Sequence, residues 1–392
     1  MDLSPRTRAP EPASPGVTAT EADALLTRLL LRCRELGASD LHITAEDRPW
    51  LRVEGRLRAL EEPISAATVS ALIDHLIGAR DRDLLAQRGA LDGALTGPKG
   101  GRFRWNLYRS DSGWSIALRR LADGFPPLRE LGLPEAFAEV QDFKDGLVVV
   151  AGPTGAGKST TLATLIDGIN RTRTGHIVTI EDPVEFLHAS IRCLIHQREI
   201  GRDADSFHNA LVSALRQDPD VILVGEVRDH GTISTAITAA ETGHLVLTTV
   251  HAGDVPGTLE RMVSVFPSIE QPGLRRRLSL VLRAILAQRL LVVDGARRDQ
   301  RLETAPDGMQ RRVAVTELLM VTPAIRNLVA MGKSAQLLST METGKRFGME
   351  TLEQSLVRLF QAGLISESTA AGLARDELIL RDRMRRATGR LS

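Results

Sequence analysis

The chain has 392 residues, 43% of them apolar and 3% aromatic, with a formal net charge of +1. That length exceeds one ordinary domain and predicts two or three with aliphatic cores, while the near-neutral balance excludes a global attraction to nucleic acid or to a membrane surface. Two distant cysteines, Cys33 and Cys193, cannot build a disulfide framework or a four-cysteine zinc site, and no run approaches the roughly 18 apolar residues of a membrane span, so a reduced, soluble, cytoplasmic protein is expected.

Residues 1–20 are rich in Pro, Ala, Ser and Thr without periodicity and are expected to form a disordered tail. They also lack the apolar core of a signal peptide. Over 21–122 short elements follow one another. "ADALLTRLLLRCREL" reads as an amphipathic helix closed by Gly37, "DLHITA" and "WLRVEGRLRAL" as strands, the latter turning at Glu54-Gly55. A helix is predicted over about Ser65 to Leu85 and a second hairpin in "GRFRWNLYRSDSGWSIALRRL", giving a small α+β domain. The prolines and glycines of "ADGFPPLRELGLP" mark a linker at 123–135.

From 136 to 271 the pattern changes. Four apolar runs, "GLVVVAG", "HIVTIED", "DVILVGE" and "HLVLTTVH", alternate with helical segments, the pattern of βαβ units on a parallel sheet buried on both faces. In such an α/β sheet the ligand site lies beyond the carboxyl ends of the strands, where the four ends should converge. The first run leads into Gly152-Pro153-Thr154-Gly155-Ala156-Gly157-Lys158-Ser159, which satisfies G-x-x-x-x-G-K-[ST] and continues into Thr160. Glycines let the loop wrap with its N–H groups inward as a nest for phosphate oxygens at a helix start. Lys158 supplies charge for the β- and γ-phosphates of a nucleotide, and the Ser159 hydroxyl suits Mg2+.

Hydrolysis further needs a metal carboxylate and a group that positions water. Glu226, following an apolar strand in "DPDVILVGEVRD", suits the first, and "TIEDPVEF" clusters Glu181, Asp182 and Glu185 around a proline. An acid after a strand is more often a helix cap or surface charge than a catalyst; two such clusters beside a phosphate loop reverse that balance. His244 and His251 bracket the fourth run, where each fits either a structural role or a γ-phosphate sensor. Residues 272–392 read as a helical C-terminal region, "LRRRLSLVLRAILAQRLLVV" included, ending in a basic helix "RDRMRRATGRLS" that is either a solvated face or a contact for an acidic partner.

Taken in order, "GPTGAGKSTT", "TIEDPVEF", "RQDPDVILVGEVRD" and "AAETGHLVLTTVHA" resemble the Walker A, Asp box, Walker B and His box of the PilT family of type IV pilus retraction ATPases, within the secretion ATPase superfamily. "GASDLHI" and "RFRWN" resemble its N-terminal signature segments, and "TPAIRNL" its C-terminal motif. The resemblance implies a RecA-like P-loop core, a PAS-like N-terminal domain, and a homohexamer at the base of a pilus. It also implies peripheral association with an inner-membrane platform protein and no nucleic-acid partner. By position it makes Glu185 the catalytic glutamate, Glu226 the Walker B glutamate near Mg2+, and His244 and His251 the His box pair. It brings forward Arg102, Arg104 and Arg119 as arginines approaching the nucleotide from the N-terminal domain, although each could equally be a solvated strand residue. Removing everything after Val313, and with it "TPAIRNL", is expected to leave ATPase activity and abolish motility. A PilU-like accessory motor and a pilus assembly or type II secretion ATPase are the alternatives, the last typically carrying a tetracysteine zinc element that two cysteines cannot supply. A paralogue that binds nucleotide without turnover lacks support, since the lysine and acids are all present. A nucleic-acid translocase lacks an aromatic stacking platform and a basic field.

Overall fold

The computed structural model describes residues 18–387 apart from 54, 61, 78, 112, 122, 123 and 295–311, so most of the expected tail, the turn residue Glu54 and the last five residues lie outside it. The chain divides into two units, Met1–Asp123 and Gly124–Ser392.

The first unit begins with α1 (Ala19–Glu35), which starts inside the stretch assigned to the tail. The Thr18 hydroxyl accepts from the Glu21 amide while the Glu21 carboxylate accepts from the Thr18 amide, a reciprocal cap that contributes about 1 kcal/mol to the helix start. Strands β1 (Asp40–Thr44), β2 (Trp50–Val53) and β3 (Arg56–Ala59) precede helices α2 (Ala66–Leu76) and α3 (Ala79–Arg88). Strands β4 (Ala90–Thr96), β5 (Arg102–Ser110) and β6 (Gly113–Arg120) complete an antiparallel sheet in the order β3-β2-β1-β6-β5-β4. Alternation puts Leu41, Ile43, Phe103, Leu107, Ile116 and Leu118 in a core shared with α1 and α2. Two differences from the sequence reading stand out. The single helix expected over 65–85 is two, and β4 replaces what carried no strand signal. Its Gly93 is required by packing, because a Cβ there would stand 2.2 Å from the Trp105 indole. All three tryptophans, Trp50, Trp105 and Trp114, belong to this unit.

The second unit is built on one seven-stranded sheet. Its strands are β7 (Gly146–Ala151), β8 (Gly175–Glu181), β9 (Cys193–Glu199), β10 (Val221–Val224), β11 (Leu245–Val250), β12 (Leu282–Val292) and β13 (Arg312–Met320), in the order β13-β12-β7-β11-β10-β8-β9. All pair in parallel except β13, which runs antiparallel along β12 at the edge. Helices α4 (Lys158–Thr172), α5 (Phe207–Ala214), α6 (His230–Glu241), α7 (Val255–Ser264) and α8 (Gln271–Val281) connect the strands, and α9 (Pro323–Ala330), α10 (Leu337–Thr343), α11 (Leu352–Gln361), α12 (Glu367–Ala371) and α13 (Glu377–Ala387) follow β13. Every residue of β7, β10 and β11 is buried, which is why these strands read as near-continuous apolar runs.

The expectation of a helical region from 272 onward needs correction. Only 274–281 of "LRRRLSLVLRAILAQRLLVV", the end of α8, is helical; 282–292 is a strand pairing β7 on one side and β13 on the other. A strand buried on both faces has no polar alternation to distinguish it from a buried helix. Beyond β13, α11 to α13 close a second, smaller core in which Val313 and Val315 meet Leu352, Leu356, Leu380 and Met384. The basic helix α13 thus buries an apolar side, and its arginines find acids within the chain, Arg381 with Glu377 and Arg386 with Asp382 one turn away and Arg383 with Glu342 of α10.

Candidate nucleotide site

The carboxyl ends of β7, β11, β10 and β8 stand side by side along one edge of the sheet, since β7 pairs β11, β11 pairs β10 and β10 pairs β8 in parallel register. The loop Gly152–Gly157 leaves β7 and α4 begins at Lys158, with Gly157 in the left-handed region at φ 86° and no capping side chain. The first-turn N–H groups of α4 therefore remain for a ligand's oxygens. Lys158 is 8% exposed and donates from Nζ to the carbonyls of Gly152 and Pro153, each at 2.9 Å. Burial lowers its pKa, while the charges of Glu226 and Glu185 oppose that shift. Glu226 after β10 and Glu185 in the loop after β8 thus both lie near enough to this lysine for their charges to bear on it. Ser159 and Thr160 follow in the first turn of α4, the former exposed.

Glu226 follows β10. Its carboxylate pairs with Arg228 and faces His251 Nε2 at 3.5 Å, His251 having arrived from the end of β11. Burial and the Lys158 charge hold the His251 pKa below its ordinary value despite Glu226. Together with Thr154, Arg228, Thr249 and Arg261, these groups line a cleft of about 390 Å3. A wider recess of about 660 Å3 around His176, His196 and Asp218 begins near the amino end of β8 and holds none of the predicted site residues.

Glu185 sits in the loop after β8, and that loop is fastened from β9. Gln197 donates from Nε2 to the Phe186 carbonyl at 2.8 Å and to Glu181 Oε1 at 3.3 Å, and its Oε1 accepts from the His188 amide at 2.8 Å. Phe125 of the linker stacks on His188 with centroids 4.5 Å apart, and burial pushes His188 down to about 4, leaving it neutral. Burial pushes the Glu181 carboxyl from its ordinary 4.5 up to about 7, against hydrogen bonds from Thr179, Gln197 and the Glu185 amide; the Glu185 charge adds to the rise. Because this native value is raised, the stabilisation belongs to the neutral form. It is complete below 4.5 and disappears as pH climbs through 7. Glu181→Gln is therefore expected to gain on the parent as pH rises from about 5 to about 8, by up to roughly 3 kcal/mol. Urea unfolding at both pH values checks this, and a pH-independent difference would contradict it.

The structure does not bring His244 to this edge. It precedes β11 at the opposite end of the strand, its Nδ1 within 2.9 Å of the Ala239 carbonyl and 3.1 Å of the Thr242 hydroxyl. Arg102, Arg104 and Arg119 all lie in the first unit. Arg102 is 9% exposed and donates to the Thr96 hydroxyl at 3.2 Å. Arg119 donates to Asp40 Oδ1 at 2.8 Å, and Arg104 is its cross-strand neighbour. Among residues the sequence reading did not single out, Arg228 was signalled by its place two residues after Glu226. Arg261 and Gln197 carried no local signal.

The secretion-family model described as "Type II/IV secretion system protein" matches residues 19–366. The chain belongs to the type II/IV secretion system protein family. Within this family it is 42% identical over 346 residues to the type IV pilus retraction ATPase PilT of Pseudomonas aeruginosa, covering 88% of this chain and 96% of that one. It is also 42% identical over 323 residues to a twitching motility protein of Neisseria gonorrhoeae, covering 82% and 83%. A crystal structure of the pilus retraction motor PilT with bound ADP superposes with a TM-score of 0.81 at 38% identity, covering 91% of this chain and 99% of that one. This secretion-family chain is accordingly a P-loop ATPase, and its α/β core with an N-terminal domain is the fold expected.

Proposed function

We propose that the chain is a homohexameric motor at the cytoplasmic face of an inner-membrane pilus platform, hydrolysing ATP to drive pilin disassembly and so pilus retraction. The observation that carries this reading is the placement of Glu185 and Glu226 within electrostatic reach of Lys158 at neighbouring strand ends, in a chain 42% identical to a retraction ATPase over 88% of its length.

In this reading the loop amides grip the β- and γ-phosphates, and Lys158 exchanges its Gly152 and Pro153 carbonyls for phosphate oxygens. Glu185 takes the proton of the attacking water. The exposed Ser159 hydroxyl and the Glu226 carboxylate are oxygen donors of the kind Mg2+ takes; the ion, when bound, neutralises developing charge on the transferred phosphoryl group. His251, its pKa held below the ordinary value by burial and the Lys158 charge, faces Glu226, which suits it to donate to a γ-phosphate oxygen when one is present. Loss of the γ-phosphate then removes contacts made only in the ATP state, and this differential shifts the motor between conformations.

Deleting the gene in its host tests the direction of force. A hyperpiliated cell that no longer twitches is the expected result. A bald cell would replace retraction by assembly.

A further inference from the structure

The strand that the sequence disguised as a helix carries a side chain into the phosphate loop. β12 pairs with β7 up to Ala287 opposite Ala151, so Gln288 comes next, alongside the first residue of the loop. The approach is close: a Cβ on Gly152 would lie 2.4 Å from the Gln288 carbonyl oxygen, and one on Gly157 would lie 3.2 Å from Gln288 Nε2. The side chain is 3% exposed. Its Nε2 donates to the Ala156 carbonyl at 2.6 Å, and its Oε1 accepts from the Thr161 hydroxyl at 2.9 Å. The amide can sit only this way round, since a carbonyl accepts and never donates.

We propose that Gln288 is a positioning residue of the phosphate loop, holding the Ala156–Gly157 peptide so that the Gly157 N–H faces the phosphates. The inference rests on the reading that this loop binds the nucleotide. In a trans peptide the C=O and the following N–H point in opposite directions. Tethering the Ala156 carbonyl to Gln288 therefore aims the Gly157 amide away from β12, into the concave side of the loop. Gly157, at φ 86°, is a residue at which a peptide can rotate at low steric cost; a rotated plane would present a carbonyl where a phosphate oxygen needs a donor. The second bond fixes the same amide to Thr161 in the first turn of α4, so loop and helix start are held by one group. Opposite Gln288 on β13 stands Thr316, whose hydroxyl donates to Glu350 at 2.9 Å and whose amide donates to the Ser355 hydroxyl in α11 at 3.1 Å. The anchor of the loop is thus itself backed by the C-terminal helices.

Gln288→Glu tests the idea with almost no change of shape. The ionised carboxylate accepts from Thr161 but cannot donate to Ala156, whereas its protonated form can. ADP titrated calorimetrically in the presence of Mg2+ should bind the variant at least about tenfold more weakly than the parent near pH 8, the cost of leaving a buried acceptor unmatched. The gap should close toward about pH 5, each measurement being referred to the parent at the same pH. A packing role alone would give no such recovery, and the uncharged Gln288→Leu separates the lost tether from repulsion between the new carboxylate and the phosphates. Gln288→Leu should be weak at every pH, and thermal unfolding without nucleotide separates lost affinity from lost fold. Affinities within about twofold of the parent for the glutamate variant at both pH values would overturn the proposal. Lys158→Ala serves as the control: if it too binds ADP normally, the phosphate-loop reading itself has failed, whereas normal binding by the Gln288 variants alone defeats only the positioning role.

Discussion

Replacing Glu185 by glutamine is expected to leave ATP affinity intact and to slow hydrolysis at least about a hundredfold, the usual worth of a general base. The two effects separate because the residue and the cradle belong to different elements. Glu185 rides on the loop after β8, clamped by Gln197 through Phe186 and His188, whereas the proposed phosphate cradle is the loop after β7 with Lys158. Glutamine keeps the volume and the clamp, so the change removes only a proton acceptor and one negative charge. Losing that charge beside an anionic ligand should if anything favour binding. Phosphate release in a single turnover, alongside equilibrium ATP titration, reads both quantities. A variant that loses binding and hydrolysis in equal measure would place Glu185 in the cradle instead.

The second large effect reverses the expectation formed for a chain ended after Val313. Such a chain is expected to be insoluble or to lack a cooperative melt, with no ATPase activity. The cut falls inside β13, the strand that covers β12. It discards Leu318, Leu319, Ile325, Leu337 and Met341, all buried in the same core as β7. Each contributes about 1.5–3 kcal/mol, against a total stability of about 5–15 kcal/mol. It also exposes the β12 edge to intermolecular pairing. Circular dichroism melts of the soluble fraction and a phosphate-release assay decide the matter; a parent-like melt with retained turnover would show β13 to be dispensable. The expectation that "TPAIRNL" serves motility is to be tested through its exposed residues, such as Arg326 and Asn327, since Ile325 of the same segment is buried.

What could be read from the sequence follows from how locally each feature is encoded. The strands β7, β8, β10 and β11 announced themselves by apolar runs, and the phosphate loop by spacing within eight residues. Glu226 and His251 were legible as strand-end residues of a parallel sheet. His244 was grouped with His251 because only six strand residues separate them, yet at about 3.3 Å per residue those six span the depth of the sheet. β12 and β13 were hidden because burial on both faces erases the alternation that marks a strand. Gln288 and Gln197 were hidden for another reason. An uncharged amide has no distinctive chemistry until the fold supplies its partners, and Gln288 meets Ala156 across 132 positions of sequence.

Confinement of every tryptophan to the first unit leaves the ATPase core dark to indole excitation. Intrinsic fluorescence of the unmodified protein is therefore a private reporter on the N-terminal unit. A change in it when nucleotide is added would register an event at the N-terminal unit without attaching a label.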